Sequence, residues 1–147
     1  MLLPGTPHAL DKTLQTQGAN LVMHTLSYRG VIAYFVMYAD YPVSVEGGTL
    51  VKKFFDDMRD SAMSTVVQAS PRVVKEADFS LAGHPGRFFQ IELSDDRVLR
   101  IKYIAVKNRV YNLIATSRKA QPNVMGSAND YEEIAMAFLD SFQLTKP

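Results

Sequence analysis

The run VIAYFVMYA at residues 31–39 decides the fold that the sequence predicts. Strands with one solvated face alternate apolar and polar residues, whereas strands covered on both faces are apolar throughout. No charged residue interrupts this run, so we expect a central strand with a layer of structure on each side. Pro42 follows Tyr41 and ends the strand, because the residue before a proline is held away from the helical region.

Further strands are indicated by segments rich in Val, Ile, Tyr and Phe, which favour pleated surfaces. They lie at residues 21–28, 73–81, 87–93, 97–106 and 109–116. Short turns separate the last four segments, so these are expected to form an antiparallel meander. The first 20 residues include Pro4 and Pro7 and are expected to be irregular or edge structure, since proline cannot donate to a central ladder.

Two amphipathic helices complete the prediction, because apolar residues recur at three- and four-residue steps in two segments. The apolar positions are Leu50, Val51, Phe54, Phe55, Met58 and Ala62, and then Tyr131, Ile134, Ala135, Phe138, Leu139 and Phe142. The 147 residues are therefore predicted to form one domain, residues 1–147, of the α+β class. Its architecture is expected to be an antiparallel β-sheet of about five to seven strands with α-helices on both faces.

Composition excludes several classes of function. Apolar residues make up 47% of the chain and the net charge is +1, which gives no global attraction to nucleic acid or anionic membranes. The absence of cysteine excludes disulfide scaffolds, thiolate metal sites and cysteine nucleophiles. No apolar run reaches the roughly 18 residues of a membrane-spanning helix, so no integral membrane segment is expected. His8, His24 and His84 lack metal-ligand spacing, so neither a metal nor a cofactor is expected.

Several short motifs carry a resemblance to a known family. They are LPGTP at residues 3–7, AYFVMYADYP at 33–42, GHPGR at 83–87, NRVY at 108–111 and FLDSF at 138–142. In this order they resemble a bacterial domain of the PsbP-like superfamily. That fold is shared by the extrinsic PsbP subunit of photosystem II and a Ran-binding nuclear import factor. The resemblance implies an α/β/α sandwich. The chain departs from the family in one way, because the first strand, which normally leads into the Pro-Gly-x-Pro turn, is expected to be truncated to a stub at Leu2-Leu3.

The resemblance also implies a location and a type of function. Bacterial domains of this kind are usually secreted or lipid-anchored and have no assigned activity, which implies a periplasmic or envelope-associated protein. No signal peptide precedes Pro4, so a cytoplasmic location stays open. The sequence contains neither a GxSxG elbow nor a phosphate-binding glycine loop. A non-enzymatic binding or assembly module of the cell envelope, with a protein partner, is therefore the preferred prediction.

A basic hairpin is the first candidate surface for that partner. Residues 97–119 hold seven basic residues and no acidic ones. The candidates for partner binding are Arg100, Lys102, Lys107 and Arg109. An acidic protein, an anionic surface or, less favoured, a nucleic acid can bind such a segment. The same side chains can instead protect strand edges or pair with acidic residues of the last helix, which are the commoner uses of strand Lys and Arg.

A pocket between helix and sheet is the alternative candidate. It would bring together Tyr38, Asp40, Arg87 and Tyr111, and it would hold a small ligand or support hydrolysis. Asp40 directly follows the apolar run, where strand ends often carry site residues, although a turn cap beside Pro42 explains it equally. Arg87 leaves the turn GHPG at 83–86 and can bind an anion or pair with an internal carboxylate.

Overall fold

The computed structural model describes residues 8–16, 19–29, 32–42, 44–46, 48–118 and 128–144. Seven strands and two α-helices lie in these ranges. The strands are β1 (His8–Thr16), β2 (Ala19–Tyr28), β3 (Ala33–Asp40), β4 (Arg72–Leu81), β5 (His84–Glu92), β6 (Arg97–Val106) and β7 (Arg109–Arg118). The helices are α1 (Gly48–Thr65), which connects β3 to β4, and α2 (Ala128–Asp140), which follows β7.

The strands form one sheet in the order β1-β2-β3-β7-β6-β5-β4, and every neighbouring pair is antiparallel. Two meanders, β1–β3 and β4–β7, are joined where β3 pairs with β7. The hairpins of the second meander are local, so turn residues specify them without help from distant contacts. The predicted α+β class with an antiparallel sheet of five to seven strands is confirmed.

Side-chain alternation along the strands divides the apolar core into two clusters. One cluster contains Phe55 of α1 together with Phe89, Ile91, Leu93, Ile101, Tyr103, Ala105 and Val110. The other contains three residues of α2 and five of the sheet region: Ala135, Phe138, Leu139, Ile32, Tyr34, Ile104, Leu113 and Ala115. Because neighbouring residues of a strand point to opposite faces, Tyr103 and Ile104 mark the two sides of the sheet. We call these sides the α1 face and the α2 face.

Consecutive residues are buried on both sides of the sheet in β6, at 103–105, and in β5, but not throughout the strand that the sequence predicts. In the apolar run, Ile32, Tyr34 and Ala39 are buried, but residues 35–38 are only half-buried, and Val31 lies outside the described residues. On β5, by contrast, the consecutive residues 89–91 are all buried. The reason is the position of α1, whose core residue Phe55 packs among β5 and β6 residues rather than over β3. An apolar run shows that a strand can be covered by other elements. Whether it is covered depends on where the crossover helix, α1, packs on the sheet.

The glycine turn before Arg87 also differs from the prediction. The chain reverses at Ala82 and Gly83, which have φ angles of 52° and 83°, whereas His84, Pro85 and Gly86 already belong to β5. Positive φ at both central residues gives a turn whose twist matches that of the flanking strands. The two glycines therefore have separate roles, with Gly83 in the turn and Gly86 in the sheet.

Gly86→Ala is expected to lower the free energy of unfolding by about 1–3 kcal/mol, the usual range for overpacking. A Cβ at this position would lie 2.5 Å from Cζ of the Phe79 ring, which covers Gly86 from the neighbouring strand. Urea unfolding of Gly86→Ala, Phe79→Ala and the double variant measures the effect. The alanine should cost little once the ring is gone. An equal cost in both backgrounds would show that Phe79 is not the reason for glycine here.

Strand β1 is an edge strand, in keeping with the expectation for the first 20 residues, although the sequence did not indicate where it runs. It pairs with β2 over its whole length, from His8 opposite Ser27 to Thr16 opposite Ala19. The proposed strand stub at residues 2–3 lies outside the described residues. Within the described part of the chain, no helix is both long and apolar enough to span a bilayer.

Candidate functional site

A row of aromatic rings crosses the α2 face from β2 to the end of α2. His24 stacks on Tyr38 with centroids 4.6 Å apart, Tyr38 lies 6.0 Å from Tyr111, and Tyr111 lies 5.0 Å from Phe142. The sheet register produces the row, because Tyr38 pairs with His24 on one side and with Tyr111 on the other. We call these four residues the aromatic row.

An ion pair fixes the position of the row. Arg109 Nε and Nη2 donate to the two carboxylate oxygens of Asp40, at 2.7 and 3.0 Å, and the guanidinium lies 4.7 Å from the centre of the Tyr38 ring. The hydrogen bond from Arg109 holds the pKa of Asp40 below its usual range. The hydrogen bonds to Asp40 and Tyr111 raise the pKa of Arg109. Tyr38 is therefore held between an imidazole and a guanidinium, with little freedom to rotate.

A groove adjoins the row on the β2–β3 side. Its volume is about 240 Å³, and its lining residues are Ala9, His24, Thr25, Leu26, Val36 and Tyr38. The groove is open to solvent, since its lining residue Leu26 is 41% exposed, and the apolar Val22, 44% exposed, lies beyond it on the same strand. Valine and leucine on the same strand at alternate positions share one sheet face. We call this feature the β2–β3 groove.

Asp40 is poorly suited to act as a general base. Asp40 is committed to Arg109, and a carboxylate with a lowered pKa is a weak general base at neutral pH. Within the residues that the structure describes, no group of three or more His, Asp or Glu is arranged to hold a metal ion. The groove instead offers apolar lining residues and one aromatic wall, Tyr38, which the guanidinium of Arg109 holds in place.

The structure brings together three of the four residues of the predicted pocket. Tyr38, Asp40 and Tyr111 lie on the α2 face, but Arg87 lies on the α1 face, because it is in the same phase of β5 as the core residue Phe89. Arg87 donates from Nε to Asp78 Oδ1 at 2.8 Å and from Nη1 to Asp56, and its guanidinium lies 5.6 Å from the Phe55 ring centre. The pocket of four residues is therefore not formed. Arg87 is engaged with internal carboxylates, the other interpretation open from the sequence.

The basic hairpin does not form a continuous cationic surface. Arg100 is buried, Lys102 Nζ lies 2.6 Å from Asp140 Oδ1, and Arg109 belongs to the aromatic row's ion pair. Lys107 is exposed at the β6–β7 turn, where its backbone N–H donates to Glu46 at 2.6 Å. The four residues proposed for partner binding thus occupy four different environments. Of this set, Arg109 lies beside three residues of the alternative pocket, Tyr38, Asp40 and Tyr111.

Sequence reasoning missed the residues that shape the groove itself. In the sequence, His24 is interpreted only as a strand residue and as a possible metal ligand, and Leu26 and Val36 are interpreted only as strand residues. The alternation of Val22, His24 and Leu26 was the available signal, since it predicts one shared face on β2. Nothing in the sequence shows that this face stays uncovered, because that depends on where α2 ends.

Comparison with known proteins supports the fold. The chain matches no protein-family model and no curated protein. Among solved structures it is similar to PA94 from Pseudomonas aeruginosa, a protein of unknown function. The two are 12% identical with a TM-score of 0.54, over 93% of this chain and 96% of that one. At this identity the likeness concerns the arrangement of strands and helices, and it extends over nearly the whole chain.

Proposed function

We propose that this protein is a non-enzymatic binding module and that its β2–β3 groove takes one apolar side chain of a protein partner. The observation that carries the proposal is the apolar groove beside a fixed aromatic wall, open at its exposed lining residue Leu26. Val22, also exposed, lies on the same strand and face beyond His24. An exposed apolar side chain that lines a concave site is typical of an interaction surface, whereas scattered ones are ordinary.

The size of the groove favours a side chain over a free metabolite. Pockets that enclose drug-sized ligands have volumes of roughly 300–1,000 Å³. The volume here is about 240 Å³, and the groove is open at the rim formed by Leu26. A partner that inserts one leucine, methionine or phenylalanine would fill it, and the rest of that partner would also cover Val22. A small ligand confined to the groove would leave Val22 in water.

The fixed wall supports the same proposal. Interfaces gain most of their binding energy from a few residues, often Tyr, Trp and Arg, that are held in place before the partner arrives. Tyr38 is held by His24 and by the Asp40–Arg109 ion pair, so its rotamer entropy is already lost in the free protein. The wall can therefore bind without a further ordering cost.

Titration with N-acetylphenylalanine amide, which mimics a single apolar side chain, tests the proposal. We expect the methyl NMR signals of Leu26 and Val36 to shift at millimolar concentrations, typical of one small group in a groove. Leu26→Glu should weaken binding at least tenfold, because it places a charge among the apolar residues that line the groove. Val67→Glu is the matched control, since Val67 is 65% exposed and lies outside the groove.

The outcomes separate the alternatives. Unmoved Leu26 and Val36 signals at the solubility limit of the probe would refute the groove as a binding site. Equal loss in Leu26→Glu and Val67→Glu would indicate a general effect of added charge. The small-ligand alternative, with Tyr38, Asp40 and Tyr111, predicts shifts centred on the Asp40–Arg109 pair instead.

The family and location remain proposals of the same kind. The motifs at 33–42 and 138–142 support a PsbP-like domain, and that resemblance supports an envelope location. An antiparallel sheet with two helices is compatible with such a domain.

A further inference from the structure

Three buried polar side chains lie together near the start of α2. Gln90 and Arg100 are cross-strand partners on β5 and β6, and Arg100 Nη1 donates to Ser117 Oγ on β7 at 3.1 Å. All three are buried, and together with Arg87 they are the buried polar residues of the described chain. We call them the Arg100 cluster. The cluster lies on the α2 face. It is away from the aromatic row, because Arg100 pairs with Ala115, whereas Ile104, further along β6, pairs with Tyr111 of the row.

Among the residues that the structure describes, no carboxylate lies within ion-pair distance of the buried Arg100 guanidinium. Its Nε has no hydrogen-bond partner, and Ser117 is the single side chain in the described structure that accepts a bond from it. The contrast with Arg87 is direct, since the two residues are 5% and 3% exposed. Arg87 has Asp56, Asp78 and Glu76 within ion-pair distance. An isolated buried charge is among the most destabilising features of a protein interior.

Two acidic side chains of the described residues act on Arg100, and each already forms an ion pair with a surface cation. Glu132 Oε1 lies 3.5 Å from Lys75 Nζ, and Glu92 Oε2 lies 3.0 Å from Arg72 Nη2. Both attract Arg100 at longer range, yet burial still lowers the pKa of Arg100. The field of these carboxylates therefore does not replace a direct partner.

We propose that the Arg100 cluster is a binding site for a small oxyanion, phosphate or carboxylate. A guanidinium presents its N–H donors in a planar fork that matches two oxygens of such an anion. The side chains of Gln90 and Ser117 add an amide and a hydroxyl donor at the same place. The site is separate from the β2–β3 groove, and it stands or fails independently of the proposed function.

Thermal unfolding of the full chain in potassium phosphate, potassium acetate and potassium chloride at equal ionic strength tests this site. We expect the melting temperature to rise with phosphate or acetate concentration beyond the rise in chloride. If phosphate raises the melting temperature more than acetate does, the site prefers a phosphate group, and the reverse order indicates a carboxylate. The increment should vanish in Arg100→Met and persist in Arg118→Met. Arg118 is a matched exposed arginine next to Ser117 that points to the other face.

A second variant keeps the test decisive if Arg100→Met does not fold. Ser117→Ala removes one donor and should weaken the apparent anion affinity several-fold while leaving the fold intact. Equal melting curves in all three salts would overturn the proposal. A double-mutant cycle of Arg100→Met and Glu132→Gln gives a second way to overturn it. If the unfolding constant of the double variant departs more than tenfold from the product of the single effects, Arg100 is paired with Glu132 in solution.

Discussion

Phe89→Ala is expected to lower the free energy of unfolding by about 3–5 kcal/mol, the range for removing a fully buried phenylalanine. Phe89 is 0% exposed, its ring lies 5.4 Å from that of Tyr103, and it belongs to the cluster that holds Phe55 of α1. The surrounding strand residues are fixed by the sheet, so the cavity can collapse only in part. Since whole domains have stabilities of about 5–15 kcal/mol, the loss would be a large share of the total.

Phe35→Ala is the matched control and should cost less than half as much. Phe35 lies in the apolar run that the sequence indicates as the central strand, but it is only half-buried and Arg29 lies 5.9 Å from its ring centre. Urea unfolding of both variants, with Phe89→Leu in reserve if the alanine variant does not fold, gives the comparison. Equal losses for the two alanine variants would place the doubly covered strand at β3 after all.

The sequence predicts local pairings well because their causes are local. The β6–β7 reversal is an example: Lys107 and Asn108 form the turn, and the strands on either side pair along their length. Apolar periodicity likewise predicts α1, whose Phe55 and Met58 belong to or pack against one cluster. In these cases the residues that specify an element are the residues within it.

Burial could not be predicted in the same way, because it depends on distant elements. Residues 31–39 are more uniformly apolar than residues 84–92, yet the second segment is buried on both faces. The difference comes from α1, which packs against β5, so its cover falls on the second meander rather than the first. Hydrophobicity therefore indicates which strands can be covered, and the path of the crossover decides which ones are.

The candidate site shows the same division. Tyr38, Asp40, Arg109 and Tyr111 are each recognisable from the sequence as polar residues at or near strand ends. Their meeting depends on the β3–β7 register, which sets Tyr38 opposite Tyr111 and Asp40 opposite Arg109 across about 70 residues of sequence. If the register were shifted by one residue, the side chains of one strand would point to the opposite face of the sheet, and these residues would not meet. Arg87 and Arg100 carry the same charge in the sequence, but the strand register sets Arg87 opposite Asp78 and Arg100 opposite the uncharged Gln90.

Arg87→Met is expected to lower the free energy of unfolding by about 2–4 kcal/mol, because it removes charge-assisted hydrogen bonds from a buried donor. Arg87 ties three elements together, with bonds to Asp56 of α1 and Asp78 of β4 from its own position on β5. The methionine retains the apolar contact with Phe55, so the loss reports on the charge network more than on packing. The remaining carboxylates reach solvent, which keeps the expected loss below that of a fully buried unpaired acid.

Arg109→Met is the matched control, since Arg109 also bridges a carboxylate with two hydrogen bonds but is 41% exposed. Exposed pairs contribute about 0.2–1 kcal/mol, so the two variants should differ clearly in urea unfolding at neutral pH. At acidic pH, the difference in unfolding free energy between the two variants should become smaller. The hydrogen bond from Arg87 holds the pKa of Asp56 below its ordinary value. The stabilisation from ionised Asp56 is therefore complete when the pH is above about 4, the pKa of an aspartate in the unfolded chain. It is lost as the pH falls through the lower pKa that Asp56 has in the folded protein. A difference that is small at pH 7 or constant down to pH 2 would show that Arg87 stabilises the fold by packing rather than by its ion pairs.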